Sequence, residues 1–256
     1  MDGKHALNAD DATVDLNEIR RFDVQANIWW QPEGNFRALH QFNPARLGYI
    51  RSQLTDHFGR TPDLIRPFAG LRLLDIGCGG GLAAEPMSRL GFAVTGIDAG
   101  ADAVAAAREH AHLGGLAIDY RVATPESIVD IGEQFDVVLA LEVIEHVADR
   151  NAFSKCLGQL VASGGATIIG TLNRTAGSFA LAIIGAEFVL GWLPRGTHDW
   201  RKFVRPSELI LGLRRNGLRT IDIAGLGYNF ASGTWELSRN VDVNYMVFAA
   251  RQPNAG

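Results

Sequence analysis

The sequence predicts an α/β fold with a doubly wound, seven-stranded and mostly parallel sheet carrying helices on both faces. Three observations point there. From Leu71 onward, short apolar runs alternate with helix-length amphipathic stretches, the pattern of repeated βαβ units. The first apolar run, Leu71–Ile76, opens directly into a glycine-rich turn, Gly77-Cys78-Gly79-Gly80-Gly81, and then into a helical pattern. The next apolar run ends on an acidic residue, Asp98, about twenty residues past the turn, the spacing at which such sheets hold a ribose.

Taken in chain order, residues 1–15 are polar and acidic and read as a disordered tail. Residues 16–70 read as a helical N-terminal cap, with helix-like periodicity from Leu16 to Phe58 broken at Pro32-Glu33-Gly34 and Asn43-Pro44. Residues 71–256 form the main domain. Strands are predicted at 71–76, 92–97, 116–122, 135–141 and 165–171, with helices near 81–90, 101–112 and 150–161. An apolar helical insertion follows the fifth strand, over about 178–203. A helix at 206–215 and a closing pair of strands, 218–224 and 243–250, complete the sheet, with a turn-rich stretch at 225–240 between the pair.

Composition narrows the function classes. The net charge is -4, from 24 basic and 28 acidic residues without long blocks of like charge, so no nucleic-acid partner is expected. The two cysteines, Cys78 and Cys156, lack any CxxC spacing and suit a reducing compartment. The N-terminus has neither the basic nor the apolar region of a signal peptide, so a cytoplasmic location is expected. Ser178–Pro194 is nearly uncharged but short and interrupted by Gly185, Glu187 and Gly191, so it is not expected to span a bilayer.

The glycine turn presents backbone N–H groups at a helix N-terminus beneath the strand ends, where open α/β sheets bind ligands. A G-x-G-x-x-G fingerprint would need glycine at position 82, which is Leu82, and no G-x-x-x-x-G-K-[ST] loop occurs. Dinucleotides and nucleoside triphosphates are therefore disfavoured, and S-adenosylmethionine is the expected cofactor. Asp98 would accept hydrogen bonds from both ribose hydroxyls; its competing role is to cap the helix beginning near Ala101. Asp75, at the end of the first strand, would orient the loop and the amino group of the methionine moiety, or only hold the turn.

Beside this loop, the strand at 135–141 runs into Leu141-Glu142-Val143-Ile144-Glu145-His146. If that segment is helical, Glu142, Glu145 and His146 share one face and supply two carboxylates and an imidazole to one point. They could bind a divalent cation, or His146 alone could act as general base. A solvated acidic turn, with His146 capping or packing, is the alternative. Leu141 would line the adenine or methionine region through its backbone.

With these residues laid out, the chain resembles the ubiquinone-biosynthesis O-methyltransferases, a class I, Rossmann-like, S-adenosylmethionine-dependent family. The resemblance runs from about Glu18 to Ala250. It includes LDIGCGGG at 74–81 and GID at 96–98, and also WW at 29–30, FNPARLGYI at 42–50, EVIEH at 142–146, TLNR at 171–174, GAEFVL at 185–190, PRGTHDWRKF at 194–203 and VDVNYM at 241–246. It implies cofactor contacts at Arg46, Gly77, Asp98 and Leu141, to which the loop chemistry adds Asp75 and Gly79. Arg46 would pair with the methionine carboxylate, its alternative being a surface ion pair. The E-x-x-E-H element implies a metal, Mg or Zn, on Glu142, Glu145 and His146. Two departures stand out: residues 59–70 look longer than in compact members, and Ala123-Thr124 replaces the acidic residue that many methyltransferases aim at the adenine amino group.

The resemblance implies methyl transfer to the phenolic hydroxyl of a polyprenylated catechol and of 3-demethylubiquinol. It implies a prenylated phenol or quinol as substrate and membership of a quinone-biosynthesis complex. The insertion ends in Trp192, Arg195, His198, Trp200, Arg201 and Lys202, an order of apolar, aromatic and basic residues that suits a membrane surface. Peripheral contact with lipid through about 178–203, on the inner face of the membrane, is the expectation, with a lid helix packed on the core as the alternative. Two other functions remain open: a methyltransferase for another small apolar phenol or acid, and a noncatalytic membrane-associated binding protein.

Overall fold

The computed structural model describes residues 13, 15, 29–31, 37–61, 63–178, 200–229 and 231–253. Most of the insertion, 179–199, and two parts of the N-terminal cap, 16–28 and 32–36, lie outside the described residues.

Helix α1 (Arg37–His57) precedes a βα alternation: β1 (Arg72–Ile76), α2 (Ala84–Arg89), β2 (Ala93–Asp98), α3 (Ala101–Leu113), β3 (Asp119–Val122), α4 (Pro125–Asp130), β4 (Phe135–Leu141), α5 (Arg150–Leu160) and β5 (Val161–Leu172). Then come single turns at Ala176–Ser178 and Trp200–Lys202, helix α6 (Pro206–Arg215), and strands β6 (Leu218–Asn229), β7 (Thr234–Ser238) and β8 (Asn244–Arg251). The strand order is β3-β2-β1-β4-β5-β8-β6-β7, with β1 to β5 parallel and the last three antiparallel.

Period-two burial divides the sheet between two apolar layers. Leu73, Val137, Leu139, Met246 and Phe248 face one layer with Ile50, Leu54, Met87 and Val104 from α1, α2 and α3. Leu74, Val138, Ala140, Tyr245 and Val247 face the other with Ile128, Phe153, Leu157 and Leu209 from α4, α5 and α6. Strands buried on both faces read as continuous apolar runs, which is why β1 and β4 were legible as such.

Three elements depart from expectation. The sheet has eight strands: the stretch 225–240, expected as turns, extends β6 and adds β7, with Tyr228 opposite Trp235. Its small and polar residues hide an edge hairpin whose aromatics pack inward, Trp235 against Phe42 of α1 and against Tyr228. Helix α4 is a six-residue element in a span to which the sequence reading assigned no element, started by a Thr124–Ser127 capping box with Pro125 following. Helix α1 runs through Pro44, where a break was expected. Proline there removes one backbone donor, and the helix is kept by burial of Tyr49, Ile50 and Leu54, with Tyr49 Oη donating to Asp222 Oδ2 of β6 at 2.8 Å.

Within the tail expected at 1–15, two residues are described and both are held. Thr13 donates its N–H and hydroxyl to Glu126 at 3.0 and 2.7 Å and accepts from the Ala148 N–H, while Lys202 pairs with Asp15 at 3.2 Å.

Candidate active site

The strand order reverses between β1 and β4, so the loops leaving their C-terminal ends diverge and open a crevice. Both sequence-predicted clusters lie there: the glycine loop after β1 and the 142–146 segment after β4.

The glycine loop is pinned to the end of β2. Cys78 N–H donates to Ile97 O of β2 at 3.0 Å, and Gly79 N–H donates to Asp98 Oδ2 at 2.9 Å. Asp98 Oδ1 accepts from the Gly100 N–H at 2.8 Å. Asp98 thus joins the β1 and β2 loops just ahead of α3, whose N-cap is Gly100. Gly77 and Gly79 have φ values of 67° and 50°, which a residue with a Cβ rarely adopts. Their missing side chains are also spatial necessities. A Cβ on Gly77 would run into Val143 of the neighbouring loop, and one on Gly79 would lie 2.5 Å from the Trp29 indole. The bare faces of these glycines, expected to leave room for cofactor alone, are therefore partly filled by the chain's own side chains.

Asp75 is 1% exposed at the end of β1. Its Oδ2 has no hydrogen-bond partner. Burial pushes its carboxyl up to about 7, against the pull of Arg46. Arg46 is itself buried, with Nε and Nη2 donating to Asn43 Oδ1 at 3.2 and 2.9 Å and Nη1 left without a hydrogen bond, 3.8 Å from Glu142 Oε1. Arg46 is thus in the crevice and not in a surface ion pair. Asn43, one helical turn before Arg46, also donates to Leu82 O at 3.0 Å, fixing α1 to the end of the glycine loop. A buried carboxylate oxygen and a buried guanidinium nitrogen, both without a hydrogen bond, match the amino and carboxylate groups of a bound amino acid. Together with the pinned glycine loop they fit S-adenosylmethionine.

Past β4 the chain does not form the helix that would gather three ligands. Leu141 ends the strand, buried, and Glu142 takes a left-handed φ of 56° while its N–H donates to Gly170 O at 2.9 Å. His146 N–H then closes a tight turn on Val143 O at 2.8 Å. The side chains stay within electrostatic reach of one another but differ in exposure. Glu145 is 2% exposed and accepts from Thr171 Oγ1 at 2.8 Å, whereas Glu142 and His146 are only partly buried. Burial, and then the charge of Glu145, raise the Glu142 carboxyl above its usual range. Among the described residues no three His, Cys, Asp or Glu side chains come together as a metal site. The metal expected on Glu142, Glu145 and His146 finds no such geometry, because an i, i+3, i+4 face requires a helix and this is a turn with one left-handed residue.

The contributions of Trp29, Asn43, Val143 and Thr171 were not read from the sequence. Asn43 carried a signal, its i, i+3 spacing to Arg46; the other three lie in motifs that carry the resemblance, but their contacts are tertiary and have no sequence spacing to reveal them.

A family described as "Methyltransferase domain" matches residues 74–169, from β1 to β5. A protein of Paramagnetospirillum magneticum named ubiquinone biosynthesis O-methyltransferase is 53% identical over 93% of this chain and 96% of its own length. One of the same name from Brucella anthropi is 52% identical over 93% and 96%. The chain belongs to the ubiquinone biosynthesis O-methyltransferase family. It is therefore an enzyme of the methyltransferase class, with S-adenosylmethionine as methyl donor. The fold is shared with magnesium protoporphyrin IX methyltransferase from Synechocystis with bound SAH, at a TM-score of 0.64 and 20% identity over 91% of this chain and 95% of that one. A methyltransferase from Thermotoga maritima matches at 0.60 and 16% identity, over 92% and 99%.

Proposed function

We propose that the protein transfers the methyl group of S-adenosylmethionine to the phenolic hydroxyl of a polyprenylated catechol and of 3-demethylubiquinol. The observation that carries this reading is the direct contact between the two halves of the crevice, Gly77 of the cofactor loop against Val143 of the 142–146 turn. A donor held on the first loop and an acceptor held at the second would meet without further movement of the backbone. The substrate class comes from the family to which the relatives belong.

Bound in the crevice, S-adenosylmethionine supplies an electrophilic methyl group for in-line attack by oxygen. Arg46 Nη1 and Asp75 Oδ2, neither with a hydrogen bond, would hold the carboxylate and amino group of its methionine part, Gly77 and Gly79 would keep the loop close to it, Asp98 would take the ribose hydroxyls, and Leu141 would line the crevice beside them. The phenol needs help, since a pKa of ~10 leaves it about three units, roughly 4 kcal/mol, from its anion at neutral pH. His146, partly exposed at the end of the turn, would accept that proton as general base, with Glu142 and Glu145 setting the charge around it.

Mass-spectrometric assay of purified protein with prenylated catechol and demethylubiquinol, with and without divalent ions, tests the reading. Methylated product from both is expected. Transfer only to short soluble phenols or acids would redirect the assignment, and calorimetry without S-adenosylmethionine binding would favour a noncatalytic protein. Turnover lost on chelation and restored by Mg or Zn would assign an ion to the 142–146 turn.

The family's substrate also favours peripheral contact with the inner face of a membrane through 178–203, and work within a quinone-biosynthesis complex. No helix among the described residues is long and apolar enough to cross a membrane. Co-sedimentation with anionic liposomes is expected, and binding unchanged when Phe188 and Trp192 are made polar would defeat this reading.

A further inference from the structure

The corner at Trp29 and Trp30 lies outside the sheet, yet it is bound to the glycine loop at several points. A Cβ on Gly79 would lie 2.5 Å from Trp29 Cη2, and one on Gly80 the same distance from Trp29 Cβ. Both glycines thus leave open a face that a single tryptophan covers. Trp30 secures the arrangement from the side: its Nε1–H donates to Gly80 O at 2.9 Å, and its ring stacks on His110 of α3 at 3.5 Å and 5°. His110 Nδ1 in turn lies 2.5 Å from Oε1 of Glu85, a fully buried residue of α2, the helix into which the loop runs. On the other side, His40 Nε2 lies 2.8 Å from Trp29 O, joining the corner to α1, which carries Asn43 and Arg46. The two tryptophans therefore connect the loop, the helices behind it and the helix that supplies the arginine.

Covering a glycine loop with an indole has a chemical consequence for the ligand that the loop takes. S-adenosylmethionine carries a sulfonium cation, and an indole offers both a π-face that attracts cations and a large apolar surface that excludes water. A serine or lysine at the same place would leave the loop wet.

We propose that Trp29 is a further cofactor-binding residue, the outer wall of the S-adenosylmethionine site, and that Trp30 is a positioning residue that clips this wall to Gly80. The proposal rests on the assignment of S-adenosylmethionine to the glycine loop. Wall and cofactor share that loop, so occupancy by the cofactor is felt at the indole.

The test uses S-adenosylhomocysteine as calorimetric and fluorescence probe and S-adenosylmethionine as substrate, on the full chain. Trp29→Ala should raise the Kd by about tenfold or more and raise the cofactor KM with a much smaller change in kcat. Trp29→Phe, which keeps an aromatic wall, should recover most of the affinity. In wild type and in Trp235→Phe, whose tryptophan packs on α1, titration with S-adenosylhomocysteine should change tryptophan emission, and in Trp29→Phe that change should be largely lost. Affinity within twofold of wild type in Trp29→Ala, or tighter binding because the indole had blocked the site, would overturn the proposal. So would an emission change retained in full by Trp29→Phe, a variant that stays informative if the alanine variant fails to fold. Absence of binding to wild-type protein would instead bring down the cofactor assignment beneath it, and the wall with it.

Discussion

His146 sits where a residue can serve the substrate without disturbing the donor. It closes the turn through its backbone N–H and is partly exposed at the end of that turn. Replacement by alanine is therefore expected to cut kcat by about 10²–10⁴-fold, with the Kd for S-adenosylhomocysteine unchanged by calorimetry. Near-normal turnover would remove His146 from the mechanism. At this scale, residues whose chemistry is local were legible: Asp75, Gly77, Gly79, Asp98 and Leu141 lie in or beside the crevice, and Arg46 is buried there. What the sequence concealed was their company. Nothing in a linear order says that Val143 fills the space beside Gly77, or that Thr171 on β5 donates to Glu145.

Among the elements, α1 matters most to the site because it reaches the crevice from outside the βα alternation. Asn43 does two jobs on it, donating to Leu82 O and holding the Arg46 guanidinium. Asn43→Ala should leave the arginine in place but unfixed. We expect a rise in cofactor KM of about tenfold, the loss of one to two hydrogen bonds to a charged group, with kcat changed less; an unaltered KM would show that Arg46 is oriented by its packing alone. The elements that resisted sequence reading share a cause. Pro44 stays helical and β7 forms because each is packed on something distant, Tyr49 on Asp222 and Trp235 on Phe42. The short α4 carried its own signal, a Thr-Pro start, but six residues are too few for periodicity to register.

Over the whole molecule, two carboxyl groups at the crevice carry raised pKa values, and this links stability to pH. Asp75 is held at about 7, far above an ordinary aspartic acid, and Glu142 is shifted in the same direction, both mainly by burial. A raised carboxyl pKa means that the folded state binds its proton more tightly than the unfolded state does. The resulting stability is complete below the ordinary carboxyl range, near pH 4, and is lost as pH rises through the folded value. The ligand-free protein should therefore lose melting temperature between about pH 5 and pH 8, and Asp75→Asn should flatten that decline; parallel curves for the two proteins would contradict it. The parallel run β1 to β5, by contrast, was readable from βα alternation, whereas the strand order and the place of its reversal come from the structure, because alternation is compatible with more than one doubly wound order.

The contact between Gly77 and Val143 also bears on how the enzyme could be altered. Any attempt to admit a bulkier or differently shaped phenol would naturally vary the turn after β4. A larger side chain at position 143 would press on Gly77, whose φ of 67° leaves it little alternative, and would spoil the methyl donor's seat while reshaping the acceptor's. Libraries built to change acceptor preference should keep valine there, or accept only smaller residues, and draw their diversity from elsewhere around the crevice.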